Sequence, residues 1–195
     1  AHVSSRSAPR GPVARRADVP DGSASDVAHI RSLIRVVPDW PKPGVSFKDL
    51  SPVLADPRAF GTVIDGLGAS LGGTRPDHVL GIEARGFPYG AALAHAVGAG
   101  FIAVRKPGKL PGAVHAREYE LEYGTATLEL HRDACGPGHR VAIVDDVLAT
   151  GGTARAAIDL VRATGAQVDA LLVVLDLSFL GGGDVVRGLG VPVHA

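Results

Sequence analysis

The amino-acid sequence predicts an α/β fold, in which a parallel β-sheet is flanked by helices on both faces. Short apolar stretches alternate along the chain with stretches of helical period, the pattern of successive strand–helix units. Two of the short stretches, VAIVDDVL and VDALLVVLDL, are largely apolar without strict alternation, as in strands covered on both faces. At 195 residues with 46% hydrophobic content, the chain can build one domain with its own core.

The first half of the chain predicts two helices followed by a strand–helix–strand unit. Residues 25–37 have apolar side chains at helical spacing behind a Ser25 cap, and a second helix begins at an Asp56 cap with Pro57 at its first position. The second helix is expected to bury Phe60, Ile64, Leu67 and Leu71. The segments HVLGIEA, GFPYGAALAHAV and GFIAVRK then predict a strand, a helix and a strand.

The second half predicts a hairpin and a further strand–helix–strand unit. The segment YELEYGTATLELH has two alternating stretches around a Tyr-Gly-Thr turn, which is typical of an antiparallel hairpin. The segments VAIVDDVL, ARAAIDLVRAT and VDALLVVLDL predict the strand, the helix and the last strand of the parallel sheet.

Residues 1–24 differ from the rest and are predicted to be a disordered arm, followed by a single domain over residues 25–195. The arm carries four arginines, no acidic residue before Asp18, and prolines and glycines that prevent a long helix. It lacks the apolar core of a secretory signal, so we interpret it as an arm and not as a targeting segment.

The composition argues against several classes of protein. Lysine and arginine together number 20, as do aspartate and glutamate, so no net basic field favours nucleic acid as a partner. The apolar stretches are too short to span a bilayer, so we expect no membrane insertion. The single cysteine, Cys135, suits a reducing cytoplasm. The eight histidines show no metal-ligand spacing, so we expect no protein cage for a metal.

Two adjacent carboxylates, Asp145 and Asp146, end the strand VAIVDDVL. In an open parallel sheet, ligands bind beyond the carboxyl ends of the strands. Two carboxylates there can accept hydrogen bonds from a vicinal diol or hold a hydrated divalent cation, which offsets their mutual repulsion.

The loop that follows has the composition of a phosphate-binding loop. It precedes a helix, and its small residues allow the backbone N–H groups, the threonine hydroxyls and the helix dipole to meet an anion; it consists of Ala149, Thr150, Gly151, Gly152 and Thr153. Carboxylates close to a phosphate site predict a phosphorylated ribose as ligand. The alternative is a capped helix beside a solvated Asp pair.

Residues 141–154, VAIVDDVLATGGTA, resemble the signature of the type I phosphoribosyltransferases. The resemblance implies that phosphoribosyl pyrophosphate binds on this strand, loop and helix. It also implies Mg²⁺ as cofactor, carried with that substrate near Asp145 and Asp146, and a small hood and flexible β-hairpin loop beside the sheet.

Further segments resemble, in their order over roughly residues 30–193, the adenine-specific members of that family. PKPGVSFKDLSPVL resembles their base-recognition segment, which implies that Phe47 stacks on adenine and that backbone groups around Ser46 and Lys48 contact the adenine edge. Without the resemblance, Phe47 is equally well explained as a core residue.

Two cationic segments resemble the pyrophosphate-binding part of the family. GIEARGFPYG implies a pyrophosphate contact for Arg85, although Glu83-Ala84 replaces the more usual Asp-Ser. VRKPGKLPG implies further pyrophosphate contacts, which fall on Arg105, Lys106 and Lys109. Three cations in five residues are otherwise typical of a solvated surface.

The hairpin segment YELEYG resembles the flexible catalytic hood of the family. The resemblance implies that Glu122 is a general acid/base toward the purine nitrogens, with Tyr123 beside it in the hood. A lone glutamate in an alternating hairpin is otherwise a surface residue.

The resemblance as a whole implies a cytoplasmic homodimer that converts adenine and phosphoribosyl pyrophosphate into AMP and pyrophosphate. Two alternatives remain open at this point. One is an enzyme for a 6-oxopurine (xanthine, guanine or hypoxanthine). The other is a regulator that senses phosphoribosyl pyrophosphate; such a protein would carry an added DNA-binding domain, for which the 24-residue arm is too short.

Overall fold

A computed structural model describes residues 24–120 and 124–195. The helices are α1 (Ala24–Leu33), α2 (Ser51–Ala55), α3 (Pro57–Ser70), α4 (Gly86–Val97), α5 (Gly152–Ala163) and α6 (Gly182–Gly188). The strands are β1 (Arg35–Pro38), β2 (Ser46–Asp49), β3 (His78–Ile82), β4 (Gly100–Val104), β5 (Val114–Glu120), β6 (Thr125–His131), β7 (Arg140–Leu148), β8 (Gln167–Asp176) and β9 (Val193–His194). A 3₁₀ turn, Ser178–Leu180, follows β8.

The core is a five-stranded sheet with the order β4-β3-β7-β8-β9, and all its neighbouring strands are parallel. One hydrophobic cluster on the sheet includes side chains of α3 and α4, such as Leu67 and Leu93. A second cluster includes side chains of α5 and of β6, such as Ile158 and Leu130. Both faces of the sheet are therefore covered, which confirms the predicted fold class and explains why β7 and β8 are apolar on both sides.

Two small antiparallel sheets lie outside the central one. The strands β5 and β6 form the predicted hairpin, with Ala116 opposite Glu129. The strands β1 and β2 pair with Val37 opposite Phe47 and form the other small sheet.

The helix predicted over residues 25–37 is wrong in its last part, because α1 ends at Leu33 and β1 begins at Arg35. Val36 and Val37 are β-branched, and Pro38 disfavours a helical conformation for the residue before it. Their pairing with β2 therefore outweighs the helical spacing of the apolar residues.

The helix α3 confirms its predicted start. The Asp56 carboxylate accepts a hydrogen bond of 2.8 Å from the Ala59 N–H, and Pro57 occupies the first turn. Of the four residues expected to be buried, Ile64, Leu67 and Leu71 are, and Phe60 is half-buried against the hydrophobic cluster that includes side chains of α3 and α4.

The predicted arm, residues 1–24, lies outside the described residues except for Ala24, which begins α1. The division into an arm and a single domain over 25–195 therefore stays a prediction. None of the helices described within residues 24–120 and 124–195 is long and apolar enough to cross a membrane.

The parallel sheet brings four chain segments to one edge. Ile82 lies opposite Val104, and Leu148 lies opposite Asp176, so the carboxyl ends of β3, β4, β7 and β8 point the same way. Residues that the sequence predicts to bind the ligand lie at the ends of three of these strands, β3, β4 and β7.

Candidate functional site

A cavity of about 410 Å³ opens at this edge of the sheet. Its wall combines the loop after β3, the end of β7, the loop before α5 and one residue after β4. The polar and glycine residues that line it are Glu83, Arg85, Lys106, Tyr119, Asp145, Thr150, Gly151, Gly152 and Thr153. The cavity therefore contains both carboxylates and cations around a loop of small residues.

The predicted phosphate loop lies on this cavity at all five positions, from Ala149 to Thr153. Gly151 has a φ of 87° and stands immediately before the first residue of α5, so a glycine is required at that turn. The first N–H groups of α5 have no helical acceptor, and together with the helix dipole they favour an anion at this place.

Gly182, which has no role predicted from the sequence, packs against the backbone of this loop. A Cβ atom on Gly182 would overlap the carbonyl oxygen of Ala149 and lie 2.9 Å from the backbone nitrogen of Gly151. Gly182 belongs to α6, which is distant from the loop in sequence, so the requirement for glycine depends on tertiary packing alone.

The two adjacent carboxylates have different surroundings. Asp145 is half-buried, lines the cavity and accepts a hydrogen bond of 2.9 Å from the Asp146 N–H. Burial and the neighbouring Asp146 carboxylate raise the pKa of Asp145 well above its ordinary value. A ligand that donates hydrogen bonds, or a cation, stabilises the ionised form of Asp145.

Asp146 is buried behind the cavity wall, with 2% of its surface exposed. Its carboxylate accepts a hydrogen bond of 2.8 Å from the Val147 N–H, and its Oδ2 atom lies 2.7 Å from the Nε atom of Arg85. The structure therefore places Asp145 on the cavity wall and Asp146 as the partner of an arginine.

Arg85 connects the cavity with the small sheet of β1 and β2. Its side chain is 55% exposed, and its guanidinium carbon lies 5.2 Å from the centre of the Phe47 ring. The next residue, Gly86, begins α4 close to β7, where a Cβ atom would lie 2.6 Å from the Val144 carbonyl oxygen. This close approach of the two backbones brings Arg85 within reach of Asp146.

The residues expected at the base site lie on β2. Phe47 is half-buried, and Trp40 packs against its ring with 4.3 Å between the ring centres. The Lys48 ammonium donates to the Ser46 hydroxyl at 3.3 Å. None of these three residues of β2 is part of the cavity wall, and Phe47 meets the wall residue Arg85 through its ring.

The three cationic residues after β4 have different surroundings. Lys106 lines the cavity, whereas the Arg105 guanidinium is paired with Glu83, with 3.2 Å between Nε and Oε2. Lys109 is exposed, and its carbonyl oxygen accepts a hydrogen bond of 3.3 Å from Arg105. The family resemblance assigns no role to Glu83, which stands where the family more usually has aspartate.

Two predicted residues, Glu122 and Tyr123, lie outside the described residues. Among residues 24–120 and 124–195, no group of three or more carboxylate, histidine or cysteine side chains could hold a metal ion. A divalent cation at this site would therefore need oxygen ligands from the substrate in addition to Asp145.

Comparisons with known proteins agree with this arrangement. A profile of the phosphoribosyl transferase domain matches residues 56–178. The chain is 50% identical over 170 residues to the adenine phosphoribosyltransferase of Rhodopseudomonas palustris (strain BisB5), which is 87% of this chain and 94% of the relative. It is 56% identical over 153 residues to that of Thermobifida fusca, which is 78% of this chain and 87% of the relative.

Solved structures of adenine phosphoribosyltransferases are also similar to this chain. The adenine phosphoribosyltransferase of Thermoanaerobacter pseudethanolicus superposes with a TM-score of 0.82 at 47% identity, covering 86% of this chain and 96% of the other. The Saccharomyces cerevisiae enzyme, complexed with adenine and an imino-altritol bisphosphate, gives a TM-score of 0.81 at 37% identity, covering 89% and 99%.

We expect Gly182→Ala to lower the free energy of unfolding by about 1–3 kcal/mol, because the added methyl group must displace the loop backbone at Ala149 and Gly151. Gly188→Ala is the matched control, since the same helix has no atom within 4 Å of a Cβ at that position. Thermal unfolding of the two variants checks this. Equal melting temperatures for Gly182→Ala and the unmodified protein would contradict it.

Proposed function

The chain belongs to the adenine phosphoribosyltransferase family, and from that premise we propose how its own residues serve the reaction. The chain transfers the 5-phosphoribosyl group from phosphoribosyl pyrophosphate to adenine, giving AMP and pyrophosphate in purine salvage. One observation supports the residue roles most strongly: the phosphate loop, a half-buried carboxylate and cations surround a single cavity.

The loop Ala149–Thr153 binds the 5′-phosphate in this proposal. Its backbone N–H groups and the start of α5 supply donors and a favourable dipole, and the hydroxyls of Thr150 and Thr153 add further donors. Because Gly151 and Gly182 fix the loop before the ligand arrives, little conformational entropy is lost on binding.

The ribose hydroxyls bind beside the loop, at the end of β7. Asp145 faces the cavity and accepts hydrogen bonds from the ribose hydroxyls, and these bonds stabilise the ionised carboxylate against the burial that raises its pKa. Asp146 contributes to the same site by holding Arg85 at 2.7 Å. The ribose is thereby oriented with C1 toward the base and the pyrophosphate.

Mg²⁺ fits this site as an ion carried with the substrate. Asp145 is the carboxylate on the cavity wall that would hold such an ion, together with oxygen atoms of the substrate. The chemistry that the ion would supply is neutralisation of charge on the departing pyrophosphate.

The pyrophosphate lies against the cations of the two loops. Arg85 and Lys106 line the cavity, and Arg105 and Lys109 extend the positive surface beyond it. As the bond from C1 to pyrophosphate breaks, negative charge grows on the leaving group, and fixed cations there stabilise the transition state more than the bound substrate.

Adenine stacks on Phe47, whose ring Trp40 supports from the side. Backbone groups at Ser46 and Lys48 contact the edge of the base. Glu122 is proposed to be the general acid/base at the purine nitrogens, and the hood residue Tyr123 helps to exclude water that would hydrolyse the activated sugar.

We also propose a homodimer in the cytoplasm, where the buried thiol of Cys135 stays reduced.

We expect AMP formation from adenine and phosphoribosyl pyrophosphate with Mg²⁺, with kcat/KM for adenine above that for hypoxanthine, guanine or xanthine by about 10²-fold or more. Adenine presents an amino donor where the 6-oxopurines present an acceptor, so a site built for one leaves buried groups unpaired with the other. Steady-state turnover with each base measures this ratio. Comparable kcat/KM for a 6-oxopurine would overturn the assignment of the base.

We expect Glu122→Gln to lower kcat by about 10²–10⁴-fold, because glutamine keeps the size of the side chain but cannot exchange a proton. Affinity for phosphoribosyl pyrophosphate should persist. Leu121→Ala controls for disturbance of the hood, and Glu120→Gln controls for the loss of charge alone. A Glu122→Gln variant with the turnover and pH profile of the unmodified enzyme would remove Glu122 from the mechanism.

A further inference from the structure

Glu83 is a carboxylate in the wall of a cavity that accepts a highly charged anion. Its side chain is only 13% exposed. A buried carboxylate beside a pyrophosphate site repels the ligand unless cations neutralise it. Its partners therefore explain why the site contains it.

Glu83 accepts hydrogen bonds from two groups of the segment after β4. The Lys106 N–H donates to Oε2 at 2.8 Å, and the Arg105 guanidinium donates through Nε to Oε2 at 3.2 Å and through Nη2 to Oε1 at 3.4 Å. Burial raises the pKa of Glu83, but the Lys106 and Arg105 contacts outweigh burial and lower it, so the carboxylate is ionised. One carboxylate thus binds both the backbone and the side chain of this segment.

The backbone of the same segment is also held from the opposite side. Arg105 and Glu129 exchange backbone hydrogen bonds of 2.9 and 2.7 Å, and the Gly108 N–H donates to the Glu129 carboxylate at 3.0 Å. The remaining freedom of Arg105 is rotation of its long side chain, which is costly to restrict when a ligand binds. Glu83 restricts that rotation in advance.

Arg105 keeps donors for a second anion while Glu83 holds it. A guanidinium has five N–H groups, and three are used, two by Glu83 and one by the Lys109 carbonyl oxygen. The planar fork lets one edge bind Glu83 while two N–H groups remain for phosphate oxygens. Glu83 therefore does not need to release Arg105 when pyrophosphate binds.

We propose that Glu83 is a positioning residue for the pyrophosphate end of the site, which acts by fixing the guanidinium of Arg105. The proposal rests on the assignment of Arg105 to pyrophosphate made above. The hydrogen bonds that the Glu83 carboxylate makes with described residues go to Arg105 and Lys106, and not to the groups assigned to the 5′-phosphate, the ribose or the base. Its loss should therefore weaken binding of pyrophosphate and leave binding of AMP unchanged.

The test is product inhibition of the full enzyme by inorganic pyrophosphate and, separately, by AMP. In Glu83→Gln the inhibition constant of pyrophosphate should rise about tenfold, and that of AMP should stay within about twofold. Asp65→Asn is the matched control, because it removes one negative charge from the exposed face of α3. It should change neither constant.

Two further variants separate positioning from a general structural effect. Arg105→Gln should weaken pyrophosphate binding. Adding Glu83→Gln to that variant should not raise the inhibition constant of pyrophosphate further, because the residue through which Glu83 acts is already lost. Arg105→Lys keeps the positive charge but not the planar fork of N–H donors, so its inhibition constant for pyrophosphate should also rise about tenfold. The Lys variant tests the proposal even where Glu83→Gln does not fold.

The outcomes are distinct. Two results for Glu83→Gln would each overturn the proposal: an inhibition constant for pyrophosphate that is unchanged or lower, or one for AMP that rises as much as that for pyrophosphate. The proposal would also be overturned if Glu83→Gln weakened pyrophosphate binding by its full factor in the Arg105→Gln background. An unchanged inhibition constant for pyrophosphate in Arg105→Lys would overturn it as well. If Arg105→Gln alone binds pyrophosphate normally, the assignment of Arg105 itself is wrong. If Arg105→Gln is impaired while Glu83→Gln is normal, only the role of Glu83 is wrong.

Discussion

The ion pair between Arg85 and Asp146 holds the site together. Asp146 is 2% exposed at the end of a central strand, and a carboxylate buried to this degree needs a cationic partner. Arg85 supplies it at 2.7 Å from the loop after β3, which passes so close to β7 that Gly86 cannot carry a side chain. The pair therefore joins the strand that is proposed to bind ribose to the loop that is proposed to bind pyrophosphate.

On the cationic side of the site, each of two arginines is held by a carboxylate. Arg85 is held by Asp146, and Arg105 is held by Glu83, before any ligand is bound. Each arginine loses side-chain entropy during folding, so less is lost on binding, and each keeps free N–H donors because a guanidinium has five. The carboxylates of Asp146 and Glu83 stand close to an anion-binding cavity because they orient the arginines assigned to the ligand.

The sequence predicts what depends on neighbouring residues and misses what depends on distant ones. The parallel sheet, the Asp56 cap and the loop Ala149–Thr153 follow from local pattern, and the structure has all three. Gly182 could not be assigned, because its need for glycine arises from a contact with a loop far away in sequence. Arg105 and Lys109 lie within three residues of Lys106 in the chain, but of these three only Lys106 lines the cavity. The direction of a side chain after a strand end depends on partners such as Glu83, which spacing does not reveal.

The most direct test of this account is a double-mutant cycle on the affinity for phosphoribosyl pyrophosphate, measured by calorimetric titration with Mg²⁺. The cycle compares Asp146→Asn, Arg85→Gln and the double variant, with melting temperatures recorded to show that each is folded. The account predicts that each single change weakens binding about tenfold or more, and that the double variant is within about twofold of the weaker single variant. Losses that multiply in the double variant, or normal affinity in a folded Asp146→Asn, would contradict the central role of the ion pair.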